Sequence, residues 1–145
     1  FNKVARMARY RKGVPPAPWY AAKLVGTLAE DCGPCTQLVA TMAEREGVDP
    51  NVIRAVLAGD VEAMPDDVAL AFRFAHAALE HDPAADDLRE QVVARWGQKG
   101  LVSLAFGLTA SRLFPTLKYA LGHGRACTRV TVGGQAAPVA GRHPG

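Results

Sequence analysis

The chain is poor in several features, and each shortage excludes something. No run of eighteen apolar residues occurs, so no membrane-spanning segment and no membrane partner are expected. Three cysteines in 145 residues are too few, and odd in number, for a disulfide-stapled secreted scaffold. No signal-peptide pattern opens the chain, which starts at Phe1 rather than Met, and a cytoplasmic location is the expectation. The basic start lacks the interleaved aromatics of a base-stacking platform, and no DNA-binding motif follows it, so no nucleic-acid partner is expected. There are four histidines, His76, His81, His123 and His143. His76 and His81, five apart, diverge around a helix, and their distance from the cysteines is wrong for a finger, so neither metal nor cofactor is expected. Internal repeats are absent, and so are convincing strands before residue 125.

What is present is helical. Net charge is only +3, but its distribution is segregated. Lys3, Arg6, Arg9, Arg11 and Lys12 stand without an acid in residues 1–12. Nine acids face Arg73 and Arg89 between Asp60 and Glu90, and no acid follows Arg112. The plain reading is solvated helix faces; pairing of unlike segments between subunits is the sharper one.

Apolar spacing places a short helix at Phe1, Val4, Ala5 and Ala8, broken by "GVPPAP" at 13–18. "WYAAKLVGTLAE" (19–30) is helical, weakened by Gly26. A helix carrying Cys35, Leu38, Val39 and Met42 ends near Glu46, with Gly47 as its cap. Asp49-Pro50 opens another helix that Gly59 ends. Pro65 with Asp66 and Asp67 opens the next, and Asp82-Pro83 opens one that Gly97 closes. The segment "LVSLAFGLTASRLFPTLKYALG" (101–122) is apolar on both faces and is expected at the centre of the core, kinked at Pro115. Homo-oligomerisation follows as an expectation from this apolar helix. The fold class is all-α, a compact bundle of six to seven helices forming one domain over 1–124, of which 1–18 is an N-terminal helix and Pro-rich linker. Residues 125–145 are expected to be an extended or disordered tail, with "ACTRVTVGG" a short strand or arm.

The sharpest chemistry lies in "AEDCGPCTQLVA" (29–40). On a helix, Cys32 and Cys35 share one face. In a first turn, unpaired N–H groups and the dipole stabilise a thiolate, which favours Cys32 as the sulfur of lower pKa. The second sulfur closes a disulfide and spares the first from over-oxidation. The plain alternative is a pair of buried, inert thiols. CGPC also resembles the active-site tetrapeptide of thioredoxins, but that fold needs a strand before the motif, and a helical segment stands there. Possible relay residues near the pair are Glu30, Tyr20 and His76. Capping is the plainer role for Glu30 and Asp31, helix anchoring for Tyr20, and core packing beside Phe72 and Leu79 for His76. Cys127 is a spare thiol.

The block "EDCGPCTQLVATMAEREG", then "GVDPNVIRAVLAGD", "ALAFRFAHAAL" and the closing long apolar helix resemble the carboxymuconolactone decarboxylase / AhpD-like family over residues 19–124. The resemblance implies a helical bundle that assembles as homo-oligomers. It also implies a CxxC-dependent hydroperoxidase or thiol–disulfide oxidoreductase, re-reduced by a dithiol partner and needing no cofactor. It would make Cys35 the peroxide-attacking thiol and Cys32 the more exposed resolving thiol that meets the reductant. Where the family carries a histidine one turn after the second cysteine stands Val39. Where it carries a carboxylate before the first stands Tyr20, and Pro34 replaces the histidine sometimes found inside the motif. These departures support an alternative, a non-catalytic helical oligomer with a structural or binding role that has lost the proton relay. A decarboxylase acting on a lactone is a third reading, which no cluster of acid–base residues supports.

Overall fold

A computed structural model describes residues 2–123 and 129–140. Cys127 and His143 lie outside the described residues, as does Phe1 of the first helix. The described chain is all-α apart from one small hairpin. In order it runs α1 (Asn2–Arg9), α2 (Pro16–Ala29), α3 (Gly33–Arg45), α4 (Pro50–Ala58), a 3-10 turn (Val61–Ala63), α5 (Asp66–Glu80) and α6 (Ala84–Ala120). The strands β1 (Val130–Val132) and β2 (Gln135–Ala137) follow.

Local signals set most boundaries. Pro16 occupies the first turn of α2, where its missing N–H costs nothing. The Asp49 carboxylate accepts from the Asn51 N–H at 2.8 Å, capping α4. Gly47 and Gly59 take left-handed φ values of 85° and 69° just past α3 and α4. Gly97, at φ 71° and ψ −178°, divides α6 into two helices that meet at a kink, where the sequence predicts a stop. The backbone stays helical through Pro115 to Ala120.

The core is arranged differently from the sequence expectation. The central element is α2, whose residues from Pro18 to Thr27 are all buried and which packs against α3, α4, α5 and α6. Helix α6 covers one side of it and leaves Phe106, Leu113, Phe114, Leu117 and Tyr119 exposed, with Leu121 just past its end. Size decides this. Ala21, Ala22 and Gly26 let neighbours approach α2 from every side. A Cβ on Gly26 would lie 2.8 Å from the Leu108 carbonyl oxygen and collide with the Ser111 hydroxyl. By length and composition α6 could cross a membrane, although 44% of its most apolar window is buried within the protein itself.

The tail carries the short strand read in "ACTRVTVGG", now paired with a second one. Residues 130–137 form an antiparallel hairpin pairing Val130 with Ala137 and Val132 with Gln135. Its two-residue turn, Gly133-Gly134, has φ 59° and 76°, the both-positive conformation that matches strand twist. Val130, Val132 and Ala137 are buried. The hairpin is tied to α3 and α4. Gln37 accepts from the Thr131 N–H at 2.8 Å, Arg54 donates to the Val132 carbonyl at 2.8 Å, and Glu44 accepts from the Gly133 N–H. The hairpin therefore packs onto the helical body through α3 and α4.

Candidate functional site

The site grows out of the α2–α3 corner. Helix α2 ends with Asp31 in a left-handed conformation (φ 50°), and the Cys32 N–H reaches back to the Thr27 carbonyl at 3.3 Å. This tight reversal makes Cys32 the N-cap of α3, with Gly33 and Pro34 in the first turn. The Cys32 sulfur accepts from the Cys35 N–H at 3.3 Å, so an orphan donor of the helix start points at sulfur. The two cysteines lie at disulfide-bonding distance, with Cα atoms 5.3 Å apart.

Their environments differ. Cys32 is fully buried, at 0% exposure, whereas Cys35 is 9% exposed. This reverses the exposure that the family resemblance implies for Cys32. The reason is geometric. The cap position tucks Cys32 under the end of α2, while Cys35 leads a stripe on α3 with Leu38, Val39 and Met42. That stripe lines a groove of about 330 Å³ between α1, α2, α3 and α6. From α6 the groove receives Ala110, Ser111, Phe114, Pro115 and Lys118, and from α2 it receives Lys23 and Thr27.

A cation stands beside the pair, the Lys118 Nζ donating to the Cys35 sulfur at 3.7 Å. Sequence reasoning missed it, because 83 residues separate the two and only the return of α6 across the α2–α3 corner joins them. Lys23 was missed as well. It is 6% exposed, donates to the Ala8 carbonyl at 3.0 Å and lies 4.3 Å from the Trp19 ring centroid. Burial lowers its pKa from 10.5 to about 8, against an opposing pull from Glu46. A lysine amid "WYAAKLVG" was the available signal, a single charge inside an apolar helix.

The expected relay residues are not brought together at the sulfurs. The Tyr20 hydroxyl donates to Glu46 Oε1 at 2.6 Å, and Arg11 pairs with the other carboxylate oxygen at 2.5 Å. Glu46 caps the far end of α3, roughly 16 Å along the helix from Cys35 at 1.5 Å per residue. Tyr20 therefore sits away from the pair. Burial, then the bond to Glu46, push its phenol well above the ordinary range. The same bond leads the forces that hold the Glu46 carboxyl below its usual value. Glu30 lies near the corner but pairs with Arg112 at 2.6 Å and accepts from Thr116 at 3.3 Å. It fastens α6 to the corner and does not cap α3. Beside it, the Tyr119 hydroxyl donates to the Asp31 carbonyl at 2.8 Å. His76 is exposed on α5, with its ring 4.5 Å from that of Phe72. It lines a separate cavity with Val25, Leu57 and Glu80.

Among the described residues no group of three His, Cys, Asp or Glu side chains is placed to hold a metal ion. Chemically, the arrangement offers one largely buried sulfur that lines a groove beside an ammonium group, a fully buried partner sulfur at a helix start, and an apolar approach. Comparison of the chain with family models, with curated proteins and with solved structures gave no match.

Proposed function

We propose that this protein is a dithiol–disulfide oxidoreductase that reduces hydroperoxides at Cys35, as its resemblance to the AhpD-like family implies. The observation that carries the reading is that Cys35, and not Cys32, opens onto the groove beneath the Lys118 ammonium. A cation beside a thiol favours the thiolate, and the thiolate is the nucleophile.

In the reduced protein the Cys35 thiolate attacks the outer peroxide oxygen. The O–O bond breaks, an S–O bond forms, and the alkoxide leaves and takes up a proton to become the alcohol. The Cys32 thiolate then attacks the Cys35 sulfenic acid. A disulfide forms, and the hydroxyl leaves as water after protonation. Two electrons have passed from the pair to the peroxide.

Re-reduction takes the same entrance. A thiolate of the dithiol partner attacks the Cys35 sulfur, since Cys32 is covered. Cys32 leaves as a thiolate, received by the Cys35 N–H, and a stabilised leaving group speeds exchange. The partner's second thiol resolves the mixed disulfide. Lys118 supplies a positive charge beside the Cys35 sulfur, at a site where Val39 and Tyr20 stand in place of the family's relay histidine and carboxylate.

A second reading, a non-catalytic helical oligomer, draws on Val39 and Tyr20 at the relay positions and on the exposed apolar residues of α6. One experiment separates them. The reduced protein is titrated for thiolate against pH and then given one equivalent of cumene hydroperoxide. The redox reading expects a thiol of pKa below about 7.5 and closure of Cys32–Cys35, mapped by peptide mass. Thiols titrating at about 8.5 or above, with the peroxide unconsumed, would leave the structural reading in its place.

A further inference from the structure

The groove has a chemical polarity that the redox chemistry does not use. Cys35 and Lys118 stand at one end. Along α3 the lining runs through Leu38 and Val39 to Met42, roughly 10 Å at 1.5 Å per residue. Towards that second end lie Lys23, one helical turn before Thr27 on α2, and the Ala8 carbonyl to which it donates. The wall between is aliphatic and aromatic. At about 330 Å³ the space is near the lower limit for small-molecule sites.

Lys23 is an unusual wall residue. A buried ammonium is normally paired with a carboxylate. Among the described residues Lys23 forms no salt bridge. Glu46 acts on it at a distance, but the oxygens of Glu46 already accept from Tyr20 and Arg11. The Ala8 carbonyl takes one of the three ammonium donors, and the Trp19 ring faces the charge. Arg9 lines the same groove.

We propose that this groove is a substrate subsite for an apolar body bearing a carboxylate head, with the head held by Lys23 and the reacting group delivered to Cys35. The inference rests on the redox reading for the word substrate, while its anion preference stands on the groove itself. For the proposed reaction it selects hydroperoxides of amphiphilic carboxylic acids over neutral ones, since only the former bring a carboxylate to the Lys23 ammonium.

The test measures binding and involves no turnover. Trp19 emission, isolated in a Trp96→Phe background, is followed during titration with decanoate and, separately, with decanol. Decanoate is expected to bind at least about tenfold more tightly, the scale of one charge-assisted hydrogen bond. Lys23→Met should bring the two ligands to within about twofold of each other. Equal binding of both ligands by the Lys23 protein, or binding of neither, overturns the proposal. Should Lys23→Met not fold, the parent is titrated at pH 6.5 and at 9.5. The decanoate preference should shrink at the higher pH as Lys23 loses its proton, while Arg9, Arg11, Glu46, Tyr20 and Lys118 face the same region. A preference unchanged across that range also overturns it. The two readings fail separately. Lys23-dependent decanoate binding with thiols inert to peroxide removes the redox reading and keeps the anion subsite. Peroxide reduction without anion preference does the reverse.

Discussion

The Lys118 ammonium stands 3.7 Å from the Cys35 sulfur, joining the end of the last helix to the first turn of α3. If this contact sets the reactivity of the pair, Lys118→Met should raise the Cys35 thiol pKa by about one unit. Alkylation by iodoacetamide at pH 7 should slow several-fold, and Lys118→Arg should restore most of the rate. Thiolate absorbance against pH reads the shift directly. An unchanged titration would remove Lys118 from the chemistry.

Glu30 is held by Arg112 and Thr116, so its neutralisation should be a matter of stability alone. Glu30→Gln is expected to cost about 1 kcal/mol or less, since Arg112 is part-exposed. The pH profile of thiol alkylation should not move. A profile that lost a limb in this variant would restore Glu30 as a proton relay.

Stability should depend on pH through the α2 lysine. Between about 8 and 10.5 the folded protein has released the Lys23 proton and the unfolded chain keeps it. The unfolded state then binds more protons, so stability rises with pH across that window. Tyr20 acts in the opposite sense above about 10, where an unfolded tyrosine ionises and the folded one holds its proton. Glu46, with its folded pKa depressed, contributes stability above the unfolded carboxyl value. That contribution is lost as pH falls through the folded one. Urea unfolding at pH 7.5, 8.5 and 9.5 should show the rise, and Lys23→Met should abolish it.

Gly26 marks a close approach of α2 to α6. Gly26→Ala should destabilise the fold by roughly 1–3 kcal/mol through overpacking against Leu108 and Ser111, despite its gain in helix propensity. Chemical denaturation measures it. A stabilised variant would mean that the two helices can part without cost.

Much of the helical order was legible because local chemistry suffices for it. Asp49-Pro50, Gly59, Asp82-Pro83 and Gly97 act on their own backbone, through capping, fixed φ or a left-handed turn, wherever the helices go. The spacing of Cys35, Leu38, Val39 and Met42 likewise named the face of α3 that lines the groove. In the tail, the strand read in "ACTRVTVGG" is β1, while its pairing with Gln135–Ala137 was not foreseen because a Gly-rich composition suggests disorder. The alternation of Val130 and Val132 before Gly133-Gly134 was the hairpin signal, and it gains its stability only by burial against α3 and α4.

The sequence by itself determined the helix starts and stops, the shared face of Cys32 and Cys35, and the placement of the pair at a helix N-terminus, because these depend on neighbours within a turn or two. Only the tertiary structure decided which helix became the centre, since that depends on how closely partners approach Ala21, Ala22 and Gly26. It decided that Cys35 and not Cys32 meets the groove, that Glu46 and Arg11 draw Tyr20 away, and that Lys118 and Lys23 share a cavity with the sulfur. Each of these depends on groups far apart in the chain, whose meeting is fixed by the packing of α1, α2, α3 and α6 and by no local preference.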